Sequence, residues 1–306
     1  MKHETAGDPI TGIKWTRRTT RNISLALRSA DIDVSPNTVA RLLKALDFRL
    51  RVNRKEIARI SHPDRDQQFR YLKEHRELFE EESLPILSVD TKKKELIGNF
   101  KNAGVTWKKE PTRVLDHDFR SDAEALAVPY GVFDLQANQA RMLVGLSSDT
   151  SAFAVDALVG WWTHEGRRTY PDADHVLILA DSGGSNGARV RAWKFEIQRK
   201  LCDKFGIGVT VCHYPSGASK WNPIEHRLFA QISRTWQGQP LRTVQTMINY
   251  LRTTTTSTGL KVRASVTRRS YPKGVRITDE QMAELHLCPH DILPKWNYTL
   301  LPRNMN

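Results

Sequence analysis

Apolar positions change their spacing several times along the chain, and each change predicts an element. Between Thr19 and Ala30, Ile23, Leu25 and Leu27 lie near one side of an expected helix. Ala30 to Val34 reads as a short turn. Ser35-Pro36 then has the form of an N-cap followed by proline in the first helical turn, where the missing N–H costs nothing. Val39, Leu42, Leu43 and Leu46 follow at helical spacing. Two short helices around a tight turn predict a helix-turn-helix, with Asn37, Thr38 and Arg41 at the start of the second helix available for DNA contact. A basic helical hairpin that only packs is the alternative. Asn53 to Pro63 reads as a linker. Asp64 to Glu82 reads as a charged helix with Phe69, Leu72 and Phe79 on one side.

From Leu84 the pattern becomes that of a sheet. Pro85 to Val89 is a short buried strand ending at Asp90. Val128 to Leu135 and Ala140 to Ser147 are two more strands, joined as a hairpin by Gln136 to Gln139. Thr150 to His164 is a helix with Phe153, Ala157, Leu158 and Trp161 on one stripe. Val176 to Ala180 is apolar throughout, as a central strand covered on both faces requires, and ends at Asp181. A long helix over Ala188 to Phe205, a strand over Gly208 to His213 and a helix over Asn222 to Trp236 complete the series. The order β-β-β-α-β-α-β-α predicts an α/β fold, an RNase H-like mixed sheet with flanking helices, preceded by a small all-α helix-turn-helix domain. The expected domains are 11–60 (helix-turn-helix), 61–83 (linker helix), 84–240 (RNase H-like domain) and 241–306 (basic extension). Residues 91–128 form a polar insertion between the first two strands of the expected sheet.

Composition sharpens the partner class. The 306 residues include 47 Lys or Arg against 34 Asp or Glu, a formal net charge of +13. Residues 11–60 hold twelve of the basic residues and four of the acids. Such a surplus calls for a polyanion. No apolar run is long enough to cross a membrane, and Met1 to Ile10 holds no apolar signal segment, so the expected partner is double-stranded DNA without a membrane, in the cytoplasm on the nucleoid. Gly259 to Ile277 has six basic residues, Arg268 and Arg269 among them, and no acid. Pro, Gly and Ser punctuate it, which predicts an extended arm able to follow a phosphate backbone. Cys202, Cys212 and Cys288 fit no zinc spacing and no disulfide framework.

Three acids carry the candidate chemistry. Phosphodiester transfer needs charge neutralised at the attacking and leaving oxygens, and hard divalent cations held by carboxylates do this. Asp90 and Asp181 each end a predicted strand, where ligand sites of α/β sheets gather, and Glu225 sits early in the last helix. Each has a plain structural alternative: Asp90 and Asp181 as ordinary turn residues, and Glu225 as the N3 partner of a capping box with Asn222. Asp134 lies within a strand; Asp116, Asp118 and Asp149 fall in loops; His213 and His226 read as packed or solvated. Ser182 to Gly187 is expected to open the long helix with small residues that admit a DNA backbone. It matches neither a P-loop nor a dinucleotide fingerprint. Lys220 and Trp221 offer a phosphate contact and a stacking ring. Lys92 and Lys93, just after Asp90, are further expected DNA contacts.

The blocks Ser88-Val89-Asp90-Thr91-Lys92-Lys93-Lys94-Glu95, Ala180-Asp181-Ser182-Gly183-Gly184-Ser185-Asn186-Gly187 and Ser219-Lys220-Trp221-Asn222-Pro223-Ile224-Glu225-His226-Arg227 resemble bacterial insertion-sequence DDE transposases of the Rhodopirellula type. Ser61 to Asp66 and Tyr271 to Val275 extend the resemblance to nearly the whole chain. It implies that Asp90, Asp181 and Glu225 are a DDE triad binding two Mg²⁺, with Mn²⁺ able to substitute. It further implies recognition of an element's terminal inverted repeats, cleavage at its ends, and transfer of a 3′-OH to target DNA by a homodimer or larger assembly on DNA. Similar proteins carry more N-terminal sequence, so a copy shortened at its start is expected. A nuclease without strand joining and a DNA-binding regulator that has lost catalysis are the alternatives.

Overall fold

The computed structural model describes residues 5–7, 14–16, 18–50 and 63–303. The chain divides into two units, Met1–Ala58 and Arg59–Asn306. In the first, β1 (Thr5–Gly7) pairs antiparallel with β2 (Lys14–Thr16). Two helices follow, α1 (Thr20–Arg28) and α2 (Pro36–Ala45). Both starts are set by side chains: Thr19 Oγ1 accepts from Asn22 N, and Ser35 Oγ accepts from Thr38 N with Pro36 at the first helical position. The linker expected over Asn53 to Pro63 lies outside the described residues except for Pro63.

The second unit opens with α3 (Arg65–Glu81), whose Leu72 and Phe79 are buried. The sheet then forms from β3 (Ile86–Thr91), β4 (Glu95–Ile97), β5 (Ala125–Asp134), β6 (Gln139–Gly145), β7 (His175–Ala180), β8 (Gly208–His213), β9 (Lys261–Thr267), β10 (Leu287–Pro289) and β11 (Asn297–Leu300). Among the described residues the spatial order is β10-β11-β8-β7-β3-β5-β6-β9, with β4 paired to β5. β3, β7 and β8 are parallel; β5 runs antiparallel to β3 and β6 to β5. This is the RNase H-like sheet, extended at one edge by β9 and at the other by β11 and β10.

Period-two alternation sorts the strand side chains to two cores. Leu177 and Leu179 of β7 face a layer holding Leu72 and Phe79 of α3 and Leu228 and Ile232 of the last core helix. Val176, Ile178 and Ala180 face the opposite layer, against Phe153, Leu158 and Trp161 of α4 (Ser151–Trp161) and Trp193 and Ile197 of α5 (Arg191–Ile197). Each such leucine or isoleucine contributes about 1.5–3 kcal/mol on burial. Cys202 and Cys212 are buried free thiols, and Cys288 is a partly exposed one.

Several boundaries differ from expectation. The long helix begins at Arg191, not Ala188, and Ser182 to Gly187 does not open it: Gly184 is left-handed (φ 74°), and Gly184–Asn186 makes a single tight turn instead. Consecutive glycines cost a helix about 1 kcal/mol each, which favours the loop. The helix continues through a widened turn, Gln198–Cys202, and stops where Gly206 turns left-handed (φ 67°). The tail is extended as expected, but Lys261–Thr267 is bonded into the sheet beside β6. Glu165 clamps that edge: its carboxylate accepts from Arg141 of β6 at 2.7 and 2.8 Å and from Arg263 of β9 at 3.3 Å. α6 (Ala230–Thr235) ends the last core helix, and α7 (Val244–Thr253) packs Met247, Ile248 and Leu251 into the first core layer. α8 (Asp279–Ala283) starts on a capping box, Thr278 with Gln281.

Candidate active site

The strand register brings the first two acids together. Val89 of β3 stands opposite Ala180 of β7 in a parallel ladder, so Asp90 and Asp181, each the next residue, lie side by side at the carboxyl edge of the sheet. Glu225 arrives on the helix that crosses this edge, in a widened turn over Glu225–Phe229. Widened turns inside helices gather at functional sites because they re-aim side chains. The helix approaches closely because residue 131, opposite Asp90 on β5, is glycine. A Cβ there would stand 2.8 Å from Ile224 Cδ1 and 2.8 Å from Phe229 Cε1, both on that helix.

Electrostatics shows the three acids sharing one field. Burial pushes the Asp90 carboxyl up to about 8, the Asp181 and Glu225 charges push the same way, and the Thr91 N–H opposes them, donating to Asp90 Oδ1 at 2.7 Å. Glu225 is thus near enough for its charge to bear on Asp90, and burial with the neighbouring acids keeps Asp90 protonated near neutrality. Asp181 is also raised by burial and by Glu225, while the Asn222 amide works against the rise.

The donors suit a hard divalent cation: three acids close enough for their charges to interact, where positive charge would relieve their repulsion. Among the described residues no group of three or more His, Cys, Asp or Glu side chains could hold a metal as placed. The fit therefore rests on donor type and charge, with side-chain rotation left to complete a shell.

Asn222 and Ser88 join the site although neither was singled out as a site residue from the sequence. The capping box that was the structural alternative for Glu225 is not formed, since no side chain caps this helix start. Asn222, fully buried, turns its amide to the sheet: Nδ2 donates to Val89 O at 3.2 Å and to Asp181 Oδ1 at 3.1 Å, and Oδ1 accepts from Ser88 Oγ. Ser88 Oγ in turn accepts from Ile224 N at 3.0 Å. The signal in the sequence was a serine inside an apolar strand and an asparagine just ahead of the third acid.

Histidine 213 is a packed histidine. Its Nδ1 lies 2.9 Å from the Asp181 carbonyl, which can only accept, so Nδ1 carries the proton and Nε2 accepts from the Tyr298 hydroxyl at 3.2 Å. Burial pushes it down to about 4, so it is neutral. His226 is exposed and bonds the Lys220 carbonyl. Asp134 lies at the far end of β5 and accepts from Gln136 N, Ala137 N and Tyr170 Oη, a turn-holding role. Asp149 stands near the site, accepting from Thr91 Oγ1 at 3.3 Å.

A cleft of about 300 Å³ opens at Asp181, lined also by Ser182, Gly183, Pro215, Ser216, Gly217 and Ser219. A larger one of about 670 Å³ shares Ser182 and Ser216 with it and carries Arg189 and Lys295, two exposed cations the sequence did not single out. Lys220 and Trp221 join Ser219 of the cleft to Asn222 along the chain, and Trp221 is 52% exposed with its ring edge-on to Phe69. Lys93, Arg268 and Arg269 are exposed, Arg269 pairing with Asp156 at 3.1 Å. Lys92 is not available for DNA: it is 7% exposed, paired with Glu95 at 3.0 Å and seated over the Trp236 ring. Its ammonium is thus held by a carboxylate and an aromatic face. Asn37 and Arg41 of α2 are exposed, and Thr38 is half-buried beside Ser35. Among the described residues no helix is long and apolar enough to cross a membrane.

The family model described as the Rhodopirellula transposase DDE domain matches residues 1–302. Among solved structures, the Mos1 transposase paired-end complex with left transposon end is similar at 14% identity over 76% of this chain and 65% of that one, TM-score 0.46. A pre-cleavage Mos1 transpososome is similar at 13% identity over 76% and 66%, TM-score 0.46. The Mos1 Strand Transfer Complex is similar at 14% identity over 76% and 64%, TM-score 0.45. The chain thus spans about two thirds of the length of these structures. No curated protein matches it.

Proposed function

The chain belongs to the Rhodopirellula transposase DDE-domain family, and from that premise we propose that it is a metal-dependent DNA transposase with Asp90, Asp181 and Glu225 as its catalytic triad. The observation that carries this reading is the convergence of the three acids, two on adjacent parallel strand ends and the third near enough for its charge to raise both. Two divalent cations, Mg²⁺ or Mn²⁺, would when bound neutralise charge at the attacking and leaving oxygens of a phosphodiester and activate a water. The triad would hold them. Asn222 would hold Asp181 still, and the closely packed helix would keep Glu225 over the sheet edge.

The reaction then has two steps of one kind. Water attacks a phosphodiester at an element end and a 3′-OH leaves. That 3′-OH next attacks a target phosphodiester, joining the strands and releasing a target 3′-OH. No protein nucleophile and no nucleotide cofactor is needed, since each bond broken is replaced by one formed. The substrates are double-stranded DNA carrying terminal inverted repeats, and target DNA, held by a dimer or larger assembly. In the first unit, Asn37, Thr38 and Arg41 would read DNA from the start of α2. In the second, Lys93, Lys220, Arg268 and Arg269, with Arg189 and Lys295, would meet phosphates, and Trp221 would stack on a base. The domain limits are read as 11–60, 61–83, 84–240 and 241–306, although the last two share one sheet.

The test is Mg²⁺-dependent cleavage and joining of oligonucleotides bearing element ends. Asp90→Asn, Asp181→Asn and Glu225→Gln each abolish both products and leave the gel-shift affinity for DNA unchanged. Full cleavage by Asp181→Asn would overturn the triad. Cleavage by the wild type without joined product would reduce the activity to that of a nuclease, and binding without turnover to that of a regulator.

A further inference from the structure

Three hydrogen bonds in the site land on, or one residue short of, the three acids. Ile224 N, one residue before Glu225, donates to Ser88 Oγ; Asn222 Nδ2 donates to Val89 O, one residue before Asp90, and to Asp181 itself. Ser88 Oγ–H closes the set by donating to Asn222 Oδ1. We propose that Asn222 and Ser88 are positioning residues, a polarised relay that fixes the three carboxylates in mutual register and so sets the affinity of the site for a divalent cation. The proposal rests on the triad reading above.

The direction of every bond is forced. The Val89 carbonyl and the Asp181 carboxylate can only accept, so the Asn222 amide must present its NH₂ to them and its oxygen to Ser88. Ile224 N–H already donates to Ser88, so the serine hydroxyl must point its proton at Asn222. Both side chains are 0% exposed, so water cannot replace a lost partner without rearrangement. Asp181 Oδ1 is taken by the amide, which leaves Oδ2 for a cation. An aspartate at 222 would set a carboxylate against a carbonyl and another carboxylate. A serine or alanine would reach neither strand. Groups that orient metal-binding side chains in this way typically change metal affinity about 10–100-fold when removed.

The experiment is Mn²⁺ binding to the full chain by isothermal titration calorimetry, with thermal melts in chelator. Asn222→Ala and Ser88→Ala are each expected to weaken Mn²⁺ binding at least about tenfold. Tyr170→Phe, which removes a bond to Asp134 outside the site, is the control for general destabilisation: it lowers the melting temperature and leaves Mn²⁺ affinity at the wild-type value. If Asn222→Ala does not fold, Ser88→Ala decides, and Ser88→Thr, which keeps the hydroxyl, restores affinity. Wild-type affinity in Asn222→Ala or Ser88→Ala, with only a lowered melting temperature, would overturn the relay and spare the triad. Absence of Mn²⁺ binding by the wild type would overturn the triad reading and the relay with it.

Discussion

At the scale of single residues, the site is built from groups held away from their ordinary protonation. Asp90 titrates near 8 rather than in the usual carboxylate range because burial and two neighbouring acids disfavour its charge. Folding therefore takes up a proton between the unfolded value, about 4, and 8. The stabilisation is complete below the lower limit and is lost as pH rises through the upper one, so the metal-free protein becomes less stable between pH 5 and pH 8. Thermal melts in chelator should show this fall, and Asp90→Asn, which cannot ionise, should flatten it. A melting temperature in chelator that does not drop over that range would contradict the account. Saturating Mg²⁺ should restore stability at pH 8, since a ligand of the native state raises it by mass action. The three acids were legible in the sequence because each sits at the end of a strand or the start of a helix. Asn222 was not, because its spacing to Glu225 is also that of an ordinary helix cap. Only the fold reveals that its amide turns to Ser88, a residue 134 positions away.

At the scale of elements, the helix carrying Glu225 is held down by a missing side chain. Gly131→Ala would place a methyl 2.8 Å from both Ile224 and Phe229. The helix must lift or Met142, 3.2 Å away at Sδ, must give as well. Overpacking of this kind costs about 1–3 kcal/mol, and a displacement near 1 Å at reacting groups costs about 100-fold in rate. Gly131→Ala should thus cleave DNA about 100-fold more slowly while keeping its far-ultraviolet spectrum and DNA affinity. Unchanged cleavage by this variant would mean that Glu225 does not depend on this contact. The central elements were predictable from periodicity: the apolar run of β7 and the hairpin of β5 and β6 appear close to their expected limits. The widened turns at Trp162–Gly166, Gln198–Cys202 and Glu225–Phe229 were not, since one added residue only shifts the phase of the apolar stripe, and the one or two turns on either side are too few to show a phase shift. The edge strands β9, β10 and β11 were missed for a different reason. β9 alternates exposed Lys261 and Arg263 with buried Val262 and Ala264, and its basic residues outweighed that alternation as a signal.

At the scale of the whole molecule, the sequence conveyed the order of elements and the sign of the charge, but not which cations face solvent. Of the lysines following Asp90, Lys92 is buried against Glu95 and Trp236 while Lys93 is exposed. The Lys92–Glu95 pair adds nothing to the formal +13, and the 47 cations therefore overstate those that DNA can meet. Counterion release makes this measurable, because the slope of log affinity against log salt counts phosphate contacts at about 0.9 each. If six to ten phosphates are engaged, affinity should fall by about 10³–10⁵ between 50 and 200 mM salt. Replacing Lys220, Arg268 and Arg269 together with Gln should reduce the slope by roughly 2 to 3, one contact for each cation lost. Lys92→Gln should lower the melting temperature and leave the slope unchanged, because its charge is already satisfied inside the protein. A slope that drops with Lys92→Gln and not with the triple variant would place the DNA on a different face. A slope near zero for the wild type would assign the basic surplus to some partner other than a polyanion.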